Sequence, residues 1–563
     1  MTVQQTAAET GTEPAAPARG RTVRWLLAWP ARMGGWALTG LACLPVLFAL
    51  IAPNELGHYT PAALLRIPLE GLLAIPLLLL VPRRGRRWAA IAVGLVFSVL
   101  AILKVFDLGF YATLGRPFDP VFDWSFFGNG IDYLNSEIGH TGTIVCIILV
   151  PLLVIGLVAV MTLAVLRLTR LLSAHRTGTL RATGMLAVGW IVMIALGAQL
   201  VPGVPMAAES YDRLLKVRTS LQDHSTFEKQ LSVDAFRDTP ANQLLTGLHG
   251  KDVMFTFVES YGRDAVLDKR YAKQVDAVLD SGTATLNAAG FGSRSAWLTS
   301  PTFGGGSWLA HSTLLTGTWV DNQQRYSTLI KTSRLNIPMA FREAGWRTVS
   351  VQPGLTSSWP EGKFYGDQQV YDRWTLGYQG PRFNWGMPPD QYTLSEFENA
   401  ELAKQNRSPI FAEIPLVSSH SPWAPTPSMI DWKAVGNGTV YGPQAAAGAS
   451  PTAVWKDAWH DPSKVQAAYR GSIEYSLQAL ISFVKTYGTK NLVLVFLGDH
   501  QAAPIVTGYN TTHDVPVTIV AGDPAVLNRI SSWGWQDGLR PNAQAPEWRM
   551  DAFRDKFLTA FAK

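Results

Sequence analysis

Five long apolar stretches in the first 204 residues restrict the fold of this chain more than any other feature of its sequence. They lie near residues 33–52, 62–82, 88–108, 143–166 and 183–203. Each has about the 20 residues that an α-helix needs to cross the hydrocarbon of a bilayer, and a helix pairs its own backbone polar groups there. The sequence therefore predicts a transmembrane domain of about five helices over residues 23–204.

The arginines outside these stretches are unevenly distributed. Three groups precede the first stretch, separate the second from the third, and separate the fourth from the fifth: Arg19, Arg21, Arg24 and Arg32; Arg83, Arg84, Arg86 and Arg87; Arg167, Arg170, Arg176 and Arg181. The alternate loops contain only Arg116. Because positively charged loops stay in the cytoplasm, this pattern predicts a cytoplasmic N-terminus and a C-terminal domain outside. Residues 1–22, poor in apolar side chains, are predicted to be a disordered cytoplasmic tail.

Net charge divides the chain at the same place. Residues 1–204 contain 15 Lys and Arg against 9 Asp and Glu, which leaves 33 residues of each sign in the remainder. A neutral outer domain without a basic stripe does not favour nucleic-acid binding. The only cysteines, Cys43 and Cys146, lie in apolar stretches, so no disulfide is expected in the outer domain.

The sequence after residue 204 changes character twice. Residues 205–250 are polar with apolar side chains at helical spacing, which predicts a juxtamembrane linker. From residue 251 to 563, helical segments near 270–289 and 464–486 alternate with five short apolar runs: DVMFTFVE, WRTVSVQP, PIFAEIPLVSS, NLVLVFLGDH and VPVTIVAGDP. Continuous apolar strands between helices predict an α/β domain with a mainly parallel sheet covered on both faces.

Reactive side chains follow three of the predicted strands. Glu259 ends the first, His420 follows the run through Phe411–Val417, and Asp499 with His500 follows Leu492–Leu497. In open α/β sheets the ligand site lies beyond the carboxyl ends of the strands, so these side chains are expected to converge. Mixed carboxylate and imidazole donors suit Zn or Mn better than Ca, which prefers oxygen alone.

A glycine-rich segment, Ser300–Gly317 (SPTFGGGSWLAHSTLLTG), supplies candidate nucleophiles. Glycines allow the backbone to approach a tetrahedral anion closely, and the amide groups of a helix start can hold its oxygens. Ser307 follows Gly304–Gly306 directly and precedes a helical run, so it is the first candidate. Thr302 is the alternative. A metal bound to either hydroxyl would lower its pKa and activate it.

The motifs FVESYGR, SSHSPW and FLGDH, with this glycine-rich segment and behind five apolar stretches, resemble the lipoteichoic acid synthase and phosphoglycerol transferase branch of the alkaline phosphatase/sulfatase superfamily. The resemblance implies a multi-pass protein of the bacterial cell membrane with a sulfatase-like catalytic domain outside. It also implies one divalent metal, Mn with Zn or Mg as alternatives. The ligands implied by the motifs are Glu259, Ser307, Asp499 and His500, and His420 would contact the substrate.

Two departures from the family pattern concern the nucleophile and the substrate pocket. Ser307 stands where the family has Thr. Where the family has His-Gly followed by Phe-Trp and Arg, this chain has Pro353-Gly354 followed by Trp359 and Lys363. Trp359 and Lys363 are nevertheless candidates for contact with a headgroup. His513, just before a predicted strand, is a candidate for a further metal ligand or substrate contact, as in two-metal relatives.

The resemblance implies transfer of a phosphoglycerol-type headgroup from a membrane phospholipid to an envelope glycopolymer or glycolipid, through a covalent intermediate on the hydroxyl. Phosphodiester hydrolysis, phosphoethanolamine transfer and sulfuric-ester hydrolysis are alternatives within the superfamily. The Cys/Ser-x-Pro-x-Arg motif of sulfatases does not occur in the sequence. A non-catalytic module that binds envelope glycopolymers is the alternative from a different class.

Overall fold

The computed structural model describes residues 20–61, 68–195, 206–356, 359–383, 387–447, 461–509 and 511–562. The chain forms two compact units, each assembled from separate segments. The first unit comprises Met1–Pro53, Tyr59–Lys104 and Cys146–Ser210; the second comprises Asn54–His58, Val105–Val145 and Tyr211–Lys563.

Five helices follow the five apolar stretches: α1 (Gly20–Ile51), α2 (Leu69–Leu80), α3 (Arg83–Leu114), α4 (Phe126–Ala174) and α5 (Arg176–Ala195). Within the described residues, three segments are long and apolar enough to cross a membrane: Gly34–Ile51, Arg83–Leu114 and Ile138–Ala174. The second and fifth predicted stretches extend into residues 62–67 and 196–203, outside the described residues. The predicted total of five spans therefore stays a prediction, as does the tail, of which residues 1–19 are not described.

Small residues allow the helices of the first unit to pack closely. Ala49, Ala101 and Met161 are fully buried in a shared apolar contact. A side chain at Gly94 on α3 would stand 2.8 Å from the Cα of Thr162 on α4. Close approach of backbones through small residues is the usual way in which helices associate within a bilayer.

The second unit contains a nine-stranded sheet preceded by helix α6 (Met206–Ser232). The strands are β1 (Asp252–Val258), β2 (Gly292–Thr299), β3 (Arg347–Gln352), β4 (Gln369–Asp372), β5 (Ile410–Leu416), β6 (Leu492–Gly498), β7 (Asp514–Ala521), β8 (Gln536–Asp537) and β9 (Glu547–Arg549).

Helices of varied length connect these strands. They are α7 (Arg263–Leu267), α8 (Ala272–Ala288), α9 (Ser307–Thr316), α10 (Gln323–Leu329), α11 (Ile337–Glu343), α12 (Gly362–Tyr365), α13 (Asp390–Phe397), α14 (Gly442–Ala447), α15 (Pro462–Tyr487), α16 (Pro504–Thr507), α17 (Pro524–Arg529) and α18 (Phe553–Phe561).

The sheet is mixed and mostly parallel. Its strand order is β4-β3-β5-β1-β6-β7-β2-β8, with β9 paired to β2. The run from β4 to β6 is parallel throughout, whereas β7 is antiparallel to both β6 and β2. The α/β architecture predicted from the alternating apolar runs is present, and the sequence pattern did not reveal the reversed direction of β7.

Apolar side chains fill both faces of this sheet. Successive residues of β1 point to opposite sides, so Met254 and Val258 join one buried cluster with α8 and α15, while Phe255 and Phe257 join the other with α9, α11 and α18. Burying one such Phe side chain contributes about 1.5–3 kcal/mol to folding. This two-sided packing fixes the central strands, and with them the loops at their carboxyl ends.

Candidate functional site

Three neighbouring parallel strands bring polar residues to one edge of the sheet. β1 lies between β5 and β6, and Val258 is in register with both Leu416 and Gly498. Glu259 and Asp499 therefore leave the sheet side by side. Gly498 is required there, because a side chain at this position would stand 1.8 Å from the carbonyl oxygen of Tyr261. The predicted convergence at the strand ends follows from this register.

Four side chains meet at this edge: Glu259, Ser307, Asp499 and His500, hereafter the strand-end cluster. The ligand atoms of the two carboxylates and the imidazole all lie within 4.8 Å of one another, and all three residues are buried. His500 Nε2 is 3.3 Å from Glu259 Oε1 and 3.7 Å from Asp499 Oδ2. The Ser307 hydroxyl donates to Glu259 Oε2 at 2.9 Å and lies 3.2 Å from His500 Nε2.

Backbone groups and serines hold the strand-end cluster in place. Asp499 Oδ1 accepts hydrogen bonds from the amides of Ser260 (2.8 Å) and His500 (2.7 Å). Ser260 has a left-handed backbone with φ of 59°, which is costly for a non-glycine residue. The hydroxyls of Ser300 and Ser419 donate to the carbonyls of Asp499 and Glu259, both at 2.6 Å.

The hydrogen bond on the far side of the His500 ring selects its tautomer. Nδ1 lies 2.8 Å from the carbonyl oxygen of Gln501, which is only an acceptor, so Nδ1 carries the donated proton. When the ring is protonated, Nε2–H also faces Glu259 Oε1; in the neutral form that a metal ligand requires, Nε2 presents its lone pair on that side. A carbonyl partner of this kind is typical of metal-ligating histidines.

Charges inside the cluster shift one another's pKa values. Burial raises the pKa of Asp499 to about 6, and the adjacent Glu259 carboxylate adds to the rise. Burial opposes the charged form of His500, but the Asp499 and Glu259 carboxylates outweigh it and raise the imidazole pKa to about 9. Burial likewise disfavours ionised Glu259, yet His420 and His500 hold its pKa well below the usual range.

The glycine-rich segment delivers Ser307 to this cluster. Ser307 begins α9, and Gly304, Gly305 and Gly306 before it have φ of 69°, 159° and 83°. At Gly304 any side chain would stand 1.9 Å from the carbonyl oxygen of Thr113. Thr302, the alternative nucleophile, is buried, and its hydroxyl has no hydrogen-bond partner among the described residues. The hydroxyl bonded to the carboxylate and imidazole is that of Ser307.

The other candidate contacts have different surroundings. His420 is one of the two histidines that lower the pKa of Glu259, and its Nδ1 lies 2.6 Å from the carbonyl oxygen of Ser421. The imidazole of His513, which directly precedes β7, has its centroid 5.5 Å from that of Phe303. Because β7 runs antiparallel to β6, its amino end lies at the same sheet edge as the strand-end cluster.

Trp359 and Lys363 lie in the segment that departs from the family pattern. Trp359 stacks on Tyr365 with ring centroids 5.7 Å apart, and Lys363 is exposed on α12. Among the described residues, no hydrogen bond or ion pair joins either side chain to the strand-end cluster. Their proposed contact with a headgroup remains a prediction.

A second buried polar group escaped the sequence analysis: His311, Asp367 and Glu413, hereafter the inner cluster. His311 lies one turn after Ser307 on α9, stacks on Phe257 at 3.7 Å, and places Nδ1 3.4 Å from Glu413 Oε1. Burial and the Glu413 charge raise the pKa of Asp367 well above its ordinary value. The only feature of the sequence that indicates this group is Glu413, a glutamate within the apolar strand FAEIP.

The donor chemistry of the strand-end cluster fits a divalent cation. Two carboxylates, an imidazole and a hydroxyl offer hard oxygen and borderline nitrogen donors, a set suited to Mn, Zn or Mg. Two adjacent buried carboxylates also repel each other, and a bound cation would compensate that charge. Glu259, Asp499 and His500 are therefore a candidate divalent-metal site, with Ser307 beside it.

No protein-family model and no curated protein sequence matches this chain. Solved structures do match it remotely. They include the lipoteichoic acid synthase LtaP from Listeria monocytogenes (16% identity, TM-score 0.36), of which this chain covers 66% with 49% of its own length. The soluble domain of lipooligosaccharide phosphoethanolamine transferase A from Neisseria meningitidis also matches (13% identity, 57% of this chain and 93% of that chain, TM-score 0.35).

A third match is the Streptococcus pyogenes phosphoglycerol transferase GacH in complex with sn-glycerol-1-phosphate (10% identity, 60% of this chain and 91% of that chain, TM-score 0.34). At these identities and TM-scores the likeness assigns no activity to the chain.

Proposed function

We propose that this protein is a metal-dependent transferase that moves a phosphoglycerol-type headgroup from a membrane phospholipid to a hydroxyl of an envelope glycopolymer or glycolipid. The observation that carries the proposal is the placement of the Ser307 hydroxyl between Glu259 and His500 at the carboxyl edge of the sheet. A helix-initial hydroxyl bonded to a buried carboxylate and an imidazole has the surroundings of an activated nucleophile.

In the first step, Ser307 Oγ attacks the phosphorus of the lipid headgroup. The Oγ–phosphorus bond forms while the bond from phosphorus to the diacylglycerol oxygen breaks. The Ser307 proton leaves along its hydrogen bond to Glu259 Oε2 at 2.9 Å and is lost to solvent, because the low pKa of this carboxyl does not let it keep the proton. The diacylglycerol oxygen takes a proton as it leaves, and His420, which follows β5 next to β1, is our candidate donor.

In the second step, the hydroxyl of the acceptor attacks the same phosphorus. A bond from phosphorus to the acceptor oxygen forms while the acceptor proton passes to His420, which gave up its own proton in the first step. The bond to Ser307 Oγ breaks, and Oγ takes a proton from solvent. With water in place of the acceptor, the same two steps would give hydrolysis.

The strand-end cluster would hold the metal through Glu259, Asp499, His500 and Ser307, with Mn as the proposed ion and Zn or Mg as alternatives. When bound, the metal would lower the pKa of the Ser307 hydroxyl and offset the negative charge of the phosphoryl oxygens. The amides at the start of α9 would add dipoles aimed at the same oxygens. The apolar helices support a membrane-bound donor, because anchorage in the bilayer raises the local concentration of a lipid.

The test uses the full chain in lipid nanodiscs with fluorescent phosphatidylglycerol and Mn. Release of diacylglycerol is measured for the wild type, Ser307→Ala and Ser307→Thr. We expect Ser307→Ala to lose about 10³-fold or more in rate, since the covalent step is abolished. Ser307→Thr restores a hydroxyl and is expected to recover part of the rate.

Ser281→Ala is the matched control, because Ser281 is an exposed serine on α8 that bonds only to the carbonyl of Val278. Full activity of Ser307→Ala would refute the nucleophile assignment. Absence of diacylglycerol release by the wild type, with and without a hydroxyl acceptor, would refute the transferase and leave the glycopolymer-binding alternative.

A further inference from the structure

Two arginines at the carboxyl edge of the sheet lack a counter-charge. β4 is parallel to β3, β5 and β1, so its carboxyl end lies at the same edge as the strand-end cluster. Arg373 directly follows β4, and Arg382 lies near the other end of the loop that begins there. Among the described residues, neither guanidinium has a carboxylate or a carbonyl oxygen as its partner.

This pair is exceptional among the arginines of the outer domain. Every other arginine from residue 251 onward bonds to a carboxylate or a backbone carbonyl. The two guanidinium groups also repel each other, because burial and the charge of Arg382 together lower the pKa of Arg373. Two adjacent cations without a carboxylate, in a domain that pairs the rest, indicate a place for an anion from outside the chain.

Trp374 adds an aromatic face beside these cations. Its side chain is 67% exposed, and the guanidinium carbon of Arg373 lies 5.3 Å from its ring centroid. The indole N–H donates to the carbonyl oxygen of Thr356 at 3.4 Å, which ties the ring to the segment after β3. An exposed indole next to a cation offers an apolar face for the C–H groups of a sugar ring and a charge for an anion attached to that sugar.

Local hydrogen bonds fix the loop that presents these three side chains. At its start, Asp372 Oδ1 accepts a hydrogen bond of 3.0 Å from the amide of Trp374. At its far end, the Tyr378 hydroxyl donates to the carbonyl oxygen of Pro381 at 2.9 Å. Leu376, between the two, is buried in the core. A loop held in this way presents its cations already arranged, so a ligand loses little free energy in ordering them.

The position of the two arginines favours a long ligand. β4 lies three strands from β1 in the sheet, which corresponds to about 14 Å. A glycerol headgroup held at Ser307 is too short to span this distance, whereas a polymer that extends from the site can. A membrane surface fits less well, because clusters that bind anionic lipids contain about four to eight cations.

We propose that Arg373, Arg382 and Trp374, hereafter the β4-end surface, bind an anionic glycopolymer through its oxyanion groups and an adjacent sugar ring. Guanidinium groups bind such oxyanions with two parallel hydrogen bonds. The assignment rests on the proposed function, in which an envelope glycopolymer is the acceptor, and specifies that this acceptor is negatively charged. A polymer held at the β4-end surface keeps its terminal hydroxyl at a high local concentration near Ser307.

The experiment measures binding of fluorescein-labelled dextran sulfate oligosaccharides to the full chain in phosphatidylcholine nanodiscs, by fluorescence anisotropy and without a lipid donor. Neutral dextran of the same length is expected to bind at least about tenfold more weakly, since it offers the arginines no charge. Arg373→Gln/Arg382→Gln should raise the Kd for the sulfated oligosaccharide about tenfold, as for the loss of two exposed charge contacts. Trp374→Ala should raise it about fivefold through loss of the stacking surface.

Lys485→Gln/Lys490→Gln is the matched control, because it also removes two exposed cations. Lys490 precedes β6 and therefore lies at the opposite edge of the sheet, so the Kd should stay within about twofold of wild type. Arg373→Lys/Arg382→Lys keeps the charges without the paired hydrogen bonds and should give an intermediate Kd. Melting temperatures identify any variant that fails to fold. Arg382 is exposed, so Arg382→Gln alone, with an expected rise of about threefold, keeps the test decisive.

Four outcomes would overturn the assignment. An unchanged Kd in the arginine variants would show that the surface is not used, and equal weakening in the lysine control would show attraction by net charge alone. A rise in the donor KM of the arginine variants with an unchanged oligosaccharide Kd would assign the arginines to the lipid headgroup. Competition by phosphatidylglycerol nanodiscs in the wild type, but not in the arginine variants, would assign them to the membrane surface.

The binding measurement separates this assignment from the proposed function, because it needs neither donor nor turnover. Release of diacylglycerol by a protein that does not bind the sulfated oligosaccharide would refute the β4-end surface and retain the transferase. Oligosaccharide binding that depends on Arg373 and Arg382, without diacylglycerol release under any condition, would refute the transferase and retain the surface.

Discussion

The strand-end cluster and the inner cluster both bury ionisable side chains, yet they differ in how those side chains are arranged. In the first, four functional groups converge, and hydrogen bonds from backbone amides and serine hydroxyls hold them in place. In the second, only His311 and Glu413 are paired. Both oxygens of Asp367, Oε2 of Glu413 and Nε2 of His311 have no hydrogen-bond partner among the described residues.

The comparison indicates that a candidate reaction centre is distinguished from a structural polar group by the convergence of its ionisable side chains and not by their burial. Convergent carboxylates repel each other and stay together only where the fold over-determines their positions, or where a cation compensates them. Separated buried carboxylates can keep a proton instead, which the raised pKa of Asp367 indicates.

The largest effect is expected for Asp499→Asn, which removes one charged ligand from the strand-end cluster. Bound Mn, measured by mass spectrometry after dialysis, should fall at least about tenfold, and activity about 10³-fold. Asp367→Asn in the inner cluster is the matched control and should retain the metal. Undiminished Mn in Asp499→Asn would show that the ligand set is wrong. Loss of Mn in Asp367→Asn would show that the inner cluster also contributes to metal binding.

His311→Leu should act on stability and leave the metal in place. It removes the partner of Glu413, which stays buried at 3% exposure, so the free energy of unfolding should fall by about 3 kcal/mol. The exposed pair His224–Glu228 provides the control, because His224→Leu should cost less than about 0.5 kcal/mol. The melting temperature and the Mn content are measured on the same samples. Loss of the metal in His311→Leu would show that the two clusters form one functional site.

Asp367→Asn should stabilise the protein in a pH-dependent way. The native pKa of Asp367 lies above its unfolded value of 3.8, so the native state holds this proton to higher pH than the unfolded state does. Ionisation therefore favours unfolding as the pH rises above about 4. We expect Asn at this position to raise the melting temperature by a few degrees at pH 7.5, equivalent to about 1 kcal/mol, and to leave it unchanged near pH 4. A gain of equal size at both pH values would contradict this origin.

The smallest effect is expected for Lys363→Ala. An exposed cation that attracts an anionic headgroup contributes about 0.5–1 kcal/mol, so the donor KM should rise about two- to fivefold with little change in kcat. Lys485→Ala, an exposed lysine at the end of α15, is the control. Identical KM values for the two variants would remove Lys363 from the substrate site.

Much of the α/β architecture could be predicted because its central strands are continuous apolar runs. β1, β5, β6 and β7 are buried almost throughout, and their ends set the positions of Glu259 and Asp499. β2 was missed because two of its buried residues, Ser293 and Ser295, are polar and obscure the pattern. β4, β8 and β9 have four residues or fewer, too few to show a period.

Parts of the candidate site could not be predicted for a related reason. An apolar run does not reveal the direction of its strand. His513 lies at the carboxyl ends of the parallel strands only because β7 is antiparallel to β6. Contacts between distant segments, such as Ser419 with the carbonyl of Glu259, have no local sequence pattern. A cavity of about 330 Å³ beside the glycine-rich segment is likewise lined by segments some 400 residues apart in the chain, from Leu114 to His513.

The close approach of Gly304 to the Thr113 carbonyl has a consequence for protein engineering. Thr113 lies in the last turn of the apolar helix α3, and Gly115, directly after the helix, packs against Phe303 with no room for a side chain. A fragment that begins at residue 211 would lose this cover, and the loop before Ser307 would be open to solvent on one side. A slower reaction at Ser307 is therefore expected in such a fragment, and a protein that retains residues 105–145 keeps the cover.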